Sequence, residues 1–322
     1  MRIPRAGMVL LAAVVAIGIL APCLAGDRPL VTVSSEGIRL PALRRLAILL
    51  PAGGPLPPRP APSGDAWALF PPIAHDPLAI DLHSRLQSPG PDHWLGTDDL
   101  GRDILSRLIY STRPSLLVAL IATLLSLGLG VPIGAAAGYA GGWVDLLLSR
   151  LIEASLSFPV LILLLLLTGL ALGGGSAGPT PSGPLRSLLI VGGAIGIARW
   201  GVIARYMRGE LLRLADTDLE VAARAMGAVP LRILGRHLIP AGMTPVAVSA
   251  AFGAGSAVIA EASLSFLGMG IQPPAPTWGQ MIAVSAQVGA RYWWMLLFPG
   301  LMVAVLVGAF NMLAEGLRRS EG

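Results

Sequence analysis

Residues 115–139 carry no charged side chain, and no other feature narrows the folding options of this chain as far. A helix needs about 20 mainly apolar residues to cross roughly 30 Å of hydrocarbon, where only helices and closed barrels satisfy their own backbone groups. Residues 8–24, 151–172, 185–204, 241–266 and 293–313 meet or approach the same length. The expected fold is an all-α integral membrane protein with six transmembrane helices, and the lipid bilayer is its main solvent.

Composition agrees: 54% of residues are hydrophobic and 13% charged, about half the charge density usual in soluble domains. All 23 basic residues are arginines. They sit between uncharged stretches and form no single basic face interleaved with aromatics, which excludes a nucleic-acid site. Cys23 has no second cysteine to pair with, so neither a disulfide framework nor a cysteine-rich metal site applies.

The arginines also orient the chain. Arg205, Arg208, Arg213, Arg224, Arg232 and Arg236 cluster between spans four and five, whereas GGGSAGPTPSG before Arg186 has none. By the positive-inside rule the first segment is cytoplasmic. Six spans then put both termini in the cytoplasm, with Arg2 and Arg5 at one and Arg318 and Arg319 at the other. Residues 27–112 fall outside, and segments longer than about 60 residues cross largely regardless of charge.

Four regions follow: an N-terminal transmembrane helix (1–26), an extracytoplasmic segment with the Pro/Gly-rich linker LPAGGPLPPRPAPSG (27–112), a transmembrane domain (113–316) and a cytoplasmic tail (317–322). The apolar run 8–24 exceeds the 7–15 residues of a usual signal-peptide core, which favours a retained helix over a cleaved leader. Arg199 is placed near one end of span four, where its side chain snorkels and Trp200 sits at headgroup level. Gly130, Gly134 and Gly138 recur at the spacing that lets helix backbones approach closely.

The cytoplasmic stretch ADTDLEVAARAMGAVPLRILGRHLIPAGMTPV carries the most information. Asp218 and Glu220 suit the positive end of a helix dipole, Val221, Ala222, Ala223, Arg224, Ala225 and Met226 continue a short helix, and Gly227 permits a turn before Ala228. A second helical stretch ends at Pro240. On spacing alone this is either a knob that fits a soluble partner or an ordinary loop.

The stretch resembles the EAA loop of ABC importer permeases: Val221-Ala222-Ala223, Gly227 and His237-Leu238-Ile239-Pro240 fall at matching spacing. Val221 stands at the glutamate position, with Glu220 one place earlier; His237 and Ile239 stand at the isoleucine and leucine positions. HWLGTDDLGRDILSRLIYSTRPSL and AEASLSFLGMGIQPPAPTWGQMI further resemble the dipeptide, oligopeptide and nickel permeases, in particular their second permease type. The resemblance implies a five-helix permease core preceded by one helix and an outer segment, in a bacterial inner membrane. It implies as partners a second homologous permease, two cytoplasmic ATP-binding subunits and an extracytoplasmic solute-binding protein, with peptides or similar small solutes as cargo. Asp218, Glu220, Val221, Ala222, Ala223, Arg224, Met226, Gly227, Ala228, His237 and Pro240 become the ATPase-coupling candidates. Transport would then proceed by alternating access driven from the partner ATPases.

Glu261 follows a long charge-free span, and an ionisable group at membrane depth is a functional candidate by default. The alternative is a position near the outer interface, hydrogen-bonded to backbone at the start of a bend. The glycines and prolines of SLSFLGMGIQPPAPTWG cannot continue a regular helix, and irregular backbone at that depth must be shielded or line a watery cavity. Glu261, Ser265, Gly268 and Gly270 are therefore the candidates for a pore or outer gate.

No enzyme is expected. A phosphate-binding Gly-x-x-x-x-Gly-Lys loop is missing, and so is lysine itself. His75, His83, His93 and His237 show no metal-ligand spacing, and no cofactor is expected. A secondary transporter would show paired broken helices in two halves, and an intramembrane hydrolase would cluster nucleophile and base within the spans; neither pattern is present.

Overall fold

The computed structural model describes residues 5–27, 29–34, 37–39, 67–173, 183–215, 217, 225, 226 and 228–319. The whole LPAGGPLPPRPAPSG linker lies outside them. Helix α1, Arg5–Leu24, packs against both α2 and α9. A small antiparallel sheet of order β2-β1-β3 follows, from Val31–Ser34 (β1), Gly37–Arg39 (β2) and Trp67–Leu69 (β3); the sequence reading did not anticipate it.

Helix α2, Ile104–Ala140, begins well before the expected span. At about 1.5 Å per residue it is about 55 Å long, far more than a bilayer core requires. Asp103 caps it, accepting the Ser106 N–H at 2.8 Å. Its first turns are buried under the preceding loop and the C-terminal helices. Arg107 lies 3.5 Å from Asp98, Trp278 donates to the Leu108 carbonyl at 3.2 Å and Trp294 to the Thr97 carbonyl at 3.3 Å.

The expected third span is broken. Helices α3, Gly142–Leu156, and α4, Val160–Gly173, meet at 87°. Pro159 lacks an N–H and pushes Phe158 out of helical geometry, so the apolar run cannot remain one straight rod. Among the described residues, five helices, α1, α2, α5, α7 and α9, are long and apolar enough to cross a membrane, and the bent α3–α4 pair makes a sixth span if counted as one.

Helix α5, Pro184–Leu214, runs about ten residues past the expected end, so Arg199 is not near the end of the helix. The arginine lies mid-helix with its guanidinium against Gly253 of α7. The helix persists because its later arginines are partnered: Arg208 grips Asp145 of α3 with two parallel bonds, 2.6 and 2.7 Å. Along the α2–α5 contact, Gly130, Gly134 and Gly138 face the Trp200, Ala204 and Arg208 carbonyls, and a Cβ at Gly134 would overlap the Ala204 backbone.

Residues 230–241 form a helical passage, α6: Pro230–Ile233, a π-turn at Leu234–Leu238, then Ile239–Ala241. Helix α7, Met243–Phe266, matches the fifth expected span closely. After it come α8, Trp278–Val288, whose first two residues end the stretch SLSFLGMGIQPPAPTWG read as irregular, and α9, Trp294–Arg319.

Candidate functional site

The coupling segment lies between α5 and α7. Ile233 and Leu238 of α6 are fully buried in a cluster with Ala135 of α2, Met207 and Leu211 of α5 and Val246 of α7. Val229 precedes Pro230, whose missing N–H costs nothing at the first helical position. The π-turn, in which Ile239 N–H reaches back five residues to the Leu234 carbonyl, comes just before Pro240; such turns recur at functional positions.

Anchored on one side, the segment exposes apolar residues on the other, beside Arg232 and Arg236. Met226 is 78% exposed, Val229 59% and Leu231 80%. Ala228 packs against the buried cluster, His237 is half-buried and Pro240 is exposed. The remaining coupling candidates, Asp218, Glu220, Val221, Ala222, Ala223, Arg224 and Gly227, lie outside the described residues. Leu231 and Val229 were missed by sequence reasoning, and an apolar residue on either side of Pro230 is the signal that would have found them.

The gate candidates divide. Glu261 is fully buried, and the Ser265 hydroxyl donates to its Oε1 at 2.7 Å. Its partner is thus a side chain one helical turn on, not the backbone of a bend. Ser115 of α2 lies beside the same carboxylate; among the described residues, Ser115 Oγ and Glu261 Oε2 have no partner within hydrogen-bond geometry. Gly270 folds back onto this group, since a Cβ there would overlap Ser265. Gly268 points away, exposed and at φ +80°, a left-handed conformation suited to ending α7.

The loop between α7 and α8 is held by polar contacts at several points. Gln272 N–H donates to Ser187 Oγ of α5 at 3.0 Å, the Gln280 side-chain amide donates to the Ile271 carbonyl, and Gly279 sits against the Ala262 carbonyl with no room for a Cβ. Ile271 and Ala275 are buried in the α2–α4–α5–α7 cluster. Shielding by protein is what irregular backbone in an apolar phase demands.

Asp145 with Arg208, and Arg199 with Gly253, are further pairings between elements distant in sequence.

Comparison with known proteins fits this arrangement. Residues 130–320 match the family model of the binding-protein-dependent transport system inner membrane component. The chain is 37% identical over 235 residues to the dipeptide transport system permease protein DppC of Alkalihalophilus pseudofirmus, covering 73% of each. It is 36% identical to DppC of Bacillus subtilis over 76% of this chain and 72% of that one. A putative peptide transport system permease protein of Brucella suis is 37% identical over 75% of this chain and 77% of its own length.

Among solved structures, an inward-facing MetNI methionine ABC transporter shares the fold at TM-score 0.52 and 20% identity, covering 68% of this chain and 98% of that one. These relatives are permease subunits of transport systems, not enzymes. With a matched family model from the end of α2 through α9 and relatives of this identity and coverage, the chain belongs to the binding-protein-dependent transport system inner membrane components and is an ABC importer permease.

Proposed function

We propose that this permease moves peptides or similar small solutes into the cytoplasm by alternating access, driven by ATP hydrolysis in partner subunits. The observation that carries the coupling part is the anchored α6 segment with its outward apolar face at Met226, Val229 and Leu231. An exposed apolar patch on a segment whose far side is locked into three spans is suited to receive a partner and pass its movement inward. The peptide cargo rests on the dipeptide and peptide transport systems to which the relatives belong.

In this reading two ATP-binding subunits dock at α6 and at residues 218–227, a second homologous permease completes the pore, and a solute-binding protein delivers cargo on the opposite side. The arginine-rich end of α5 and both termini then face the cytoplasm. The test is Leu231→Glu in the reconstituted complex: membrane insertion is retained, while uptake falls at least tenfold and ATP hydrolysis no longer responds to the binding protein. Unchanged uptake and hydrolysis would overturn the coupling role.

The loop after α7 is proposed as part of the outer gate, supported by the contrast between exposed Gly268 and the buried Glu261–Ser265–Gly270 group. A cysteine at position 268 should react with a polar thiol reagent at a rate that changes during transport, whereas one at 265 stays protected.

A further inference from the structure

The fold brings together groups that sequence spacing leaves apart. His75, His93 and Asp103 each offer a ligand atom within 4.8 Å of the others. The two imidazole ring centroids lie 4.4 Å apart, with the ring planes tilted by 31°. Both rings are half-buried, so solvent reaches the site, whereas Asp103 is buried.

The hydrogen bonds decide which ring nitrogens are free. His93 Nδ1 lies 2.9 Å from Asp103 Oδ1; an ionised carboxylate only accepts, so Nδ1 carries the proton and Nε2 keeps its lone pair. His75 Nε2 lies 2.8 Å from the Asp92 carbonyl; a carbonyl also only accepts, so Nε2 is protonated and the lone pair is on Nδ1. Each ring thus donates one N–H to a carboxylate or a main-chain carbonyl, and among the described residues its other nitrogen has no hydrogen-bond partner. This is the outer hydrogen-bonding pattern that fixes metal-ligating histidines.

Asp103 is itself held, since its Oδ2 accepts both the backbone N–H and the hydroxyl of Ser106 at 2.8 Å. It orients His93 and supplies negative charge close by. The surroundings favour a cation as well. From His75 to Asp103 the chain has six aspartates, Asp76, Asp81, Asp92, Asp98, Asp99 and Asp103, against Arg85 and Arg102. That is a local formal charge of 2 − 6 = −4 in a chain whose net charge is +5.

We propose that His75 and His93, oriented by the Asp92 carbonyl and by Asp103, bind one late first-row divalent cation such as Zn²⁺ or Ni²⁺. Imidazole nitrogen suits these ions, and magnesium and calcium prefer all-oxygen sites. Two protein nitrogens leave coordination positions open to water or to a chelating group from solution. A bound ion would tie the loop carrying His75 to the start of α2. The site does not depend on the transport reading, and its test needs no transport.

The test uses the full chain, purified in detergent through a tag without histidines, stripped with chelator and titrated with Zn²⁺ or Ni²⁺ alone. The expected result is one equivalent bound at micromolar concentration, weakened at least tenfold by either His75→Ala or His93→Ala and unchanged by His83→Ala. Cu²⁺ loaded at one equivalent should give a paramagnetic resonance spectrum with nitrogen coupling that both variants diminish. His75→Gln, which keeps a side-chain donor for the Asp92 carbonyl, separates loss of a ligand from loss of the loop: it should fold with an unaltered unfolding midpoint and still bind poorly. Binding unaffected by the histidine substitutions, or none below millimolar metal, would overturn the proposal.

Discussion

Arg113 of α2 donates from Nε to the Gly18 carbonyl of α1 at 2.6 Å. That carbonyl is the one Pro22 leaves without its intrahelical partner four residues on. A second bond from the same guanidinium reaches the Ile19 carbonyl at 3.0 Å. The arginine thus repairs from a neighbouring helix the gap that proline makes, and in doing so fixes α1 to the bundle.

Arg113→Met should therefore destabilise the protein by about 1.5–3 kcal/mol, the usual worth of a hydrogen bond to a charged group. Pro22→Ala restores the N–H that Gly18 lacks. The double variant should lose measurably less than Arg113→Met alone, and a double-mutant cycle on thermal unfolding in detergent checks this. Additive losses would refute the repair.

At the α2–α5 contact, Gly134→Val should cost more than the usual 1–3 kcal/mol of overpacking, because the obstacle is the Ala204 backbone and not a side chain that could turn aside. Gly128→Ala in the same helix meets nothing within 4 Å and should be neutral or slightly stabilising through helix propensity. Unfolding midpoints of the two variants make the comparison.

The Asp145–Arg208 pair joins α3 to α5 by two bonds, and its side chains are 21% and 32% exposed. Partial exposure limits its worth to about 1 kcal/mol despite the bidentate geometry. The coupling energy from Asp145→Asn, Arg208→Gln and the double variant should be of that size and should shrink in high salt. A coupling near zero at low salt would mean that the pair contributes nothing to holding α3.

Glu261→Gln keeps an acceptor for Ser265 and adds a donor that can face Ser115, so it should preserve stability. Glu261→Ala removes the acceptor and leaves buried hydroxyls short of partners, at about 1–3 kcal/mol. The order Gln above Ala in unfolding midpoint is the expected result; equal midpoints would count against a packed hydrogen-bonded role.

Much of the membrane body is legible in the sequence, because a charge-free run long enough to cross a bilayer has few other ways to fold. Residues 241–266 and 293–313 were delimited almost as α7 and the main part of α9 appear. Where polar residues are buried by tertiary contact, the same reasoning fails. Arg107 and Asp103 made the start of α2 look like loop, because their partners, Asp98 and His93, are supplied by a neighbouring turn. The break at Pro159 hid inside a stretch apolar on both sides, and hydropathy does not distinguish one straight span from two short helices. Arg199 reads as lying near the end of its span because the continuation of α5 to Leu214, with Arg208 paired to Asp145 of α3, leaves no trace in hydropathy. Glu261 and Ser265 were named as neighbours of a bend, but their mutual bond follows only from α7 remaining helical through both. For the coupling segment the resemblance located Pro240 and His237, whereas the apolar face at Leu231 required the placement of Ile233 underneath it.

The glycines of α2 have a mechanical consequence. Two helices separated by side chains can slide past each other as rotamers change, but at Gly134 the backbones touch, and each Cα ridge would have to climb over the next carbonyl. Shear along that line is blocked, which leaves α2 and α5 as a single strut. The degrees of freedom left to the bundle lie elsewhere, at the corner between α3 and α4 and in the short turns of α6, so displacement imposed at either place must appear as rotation of the strut and not as stretching within it.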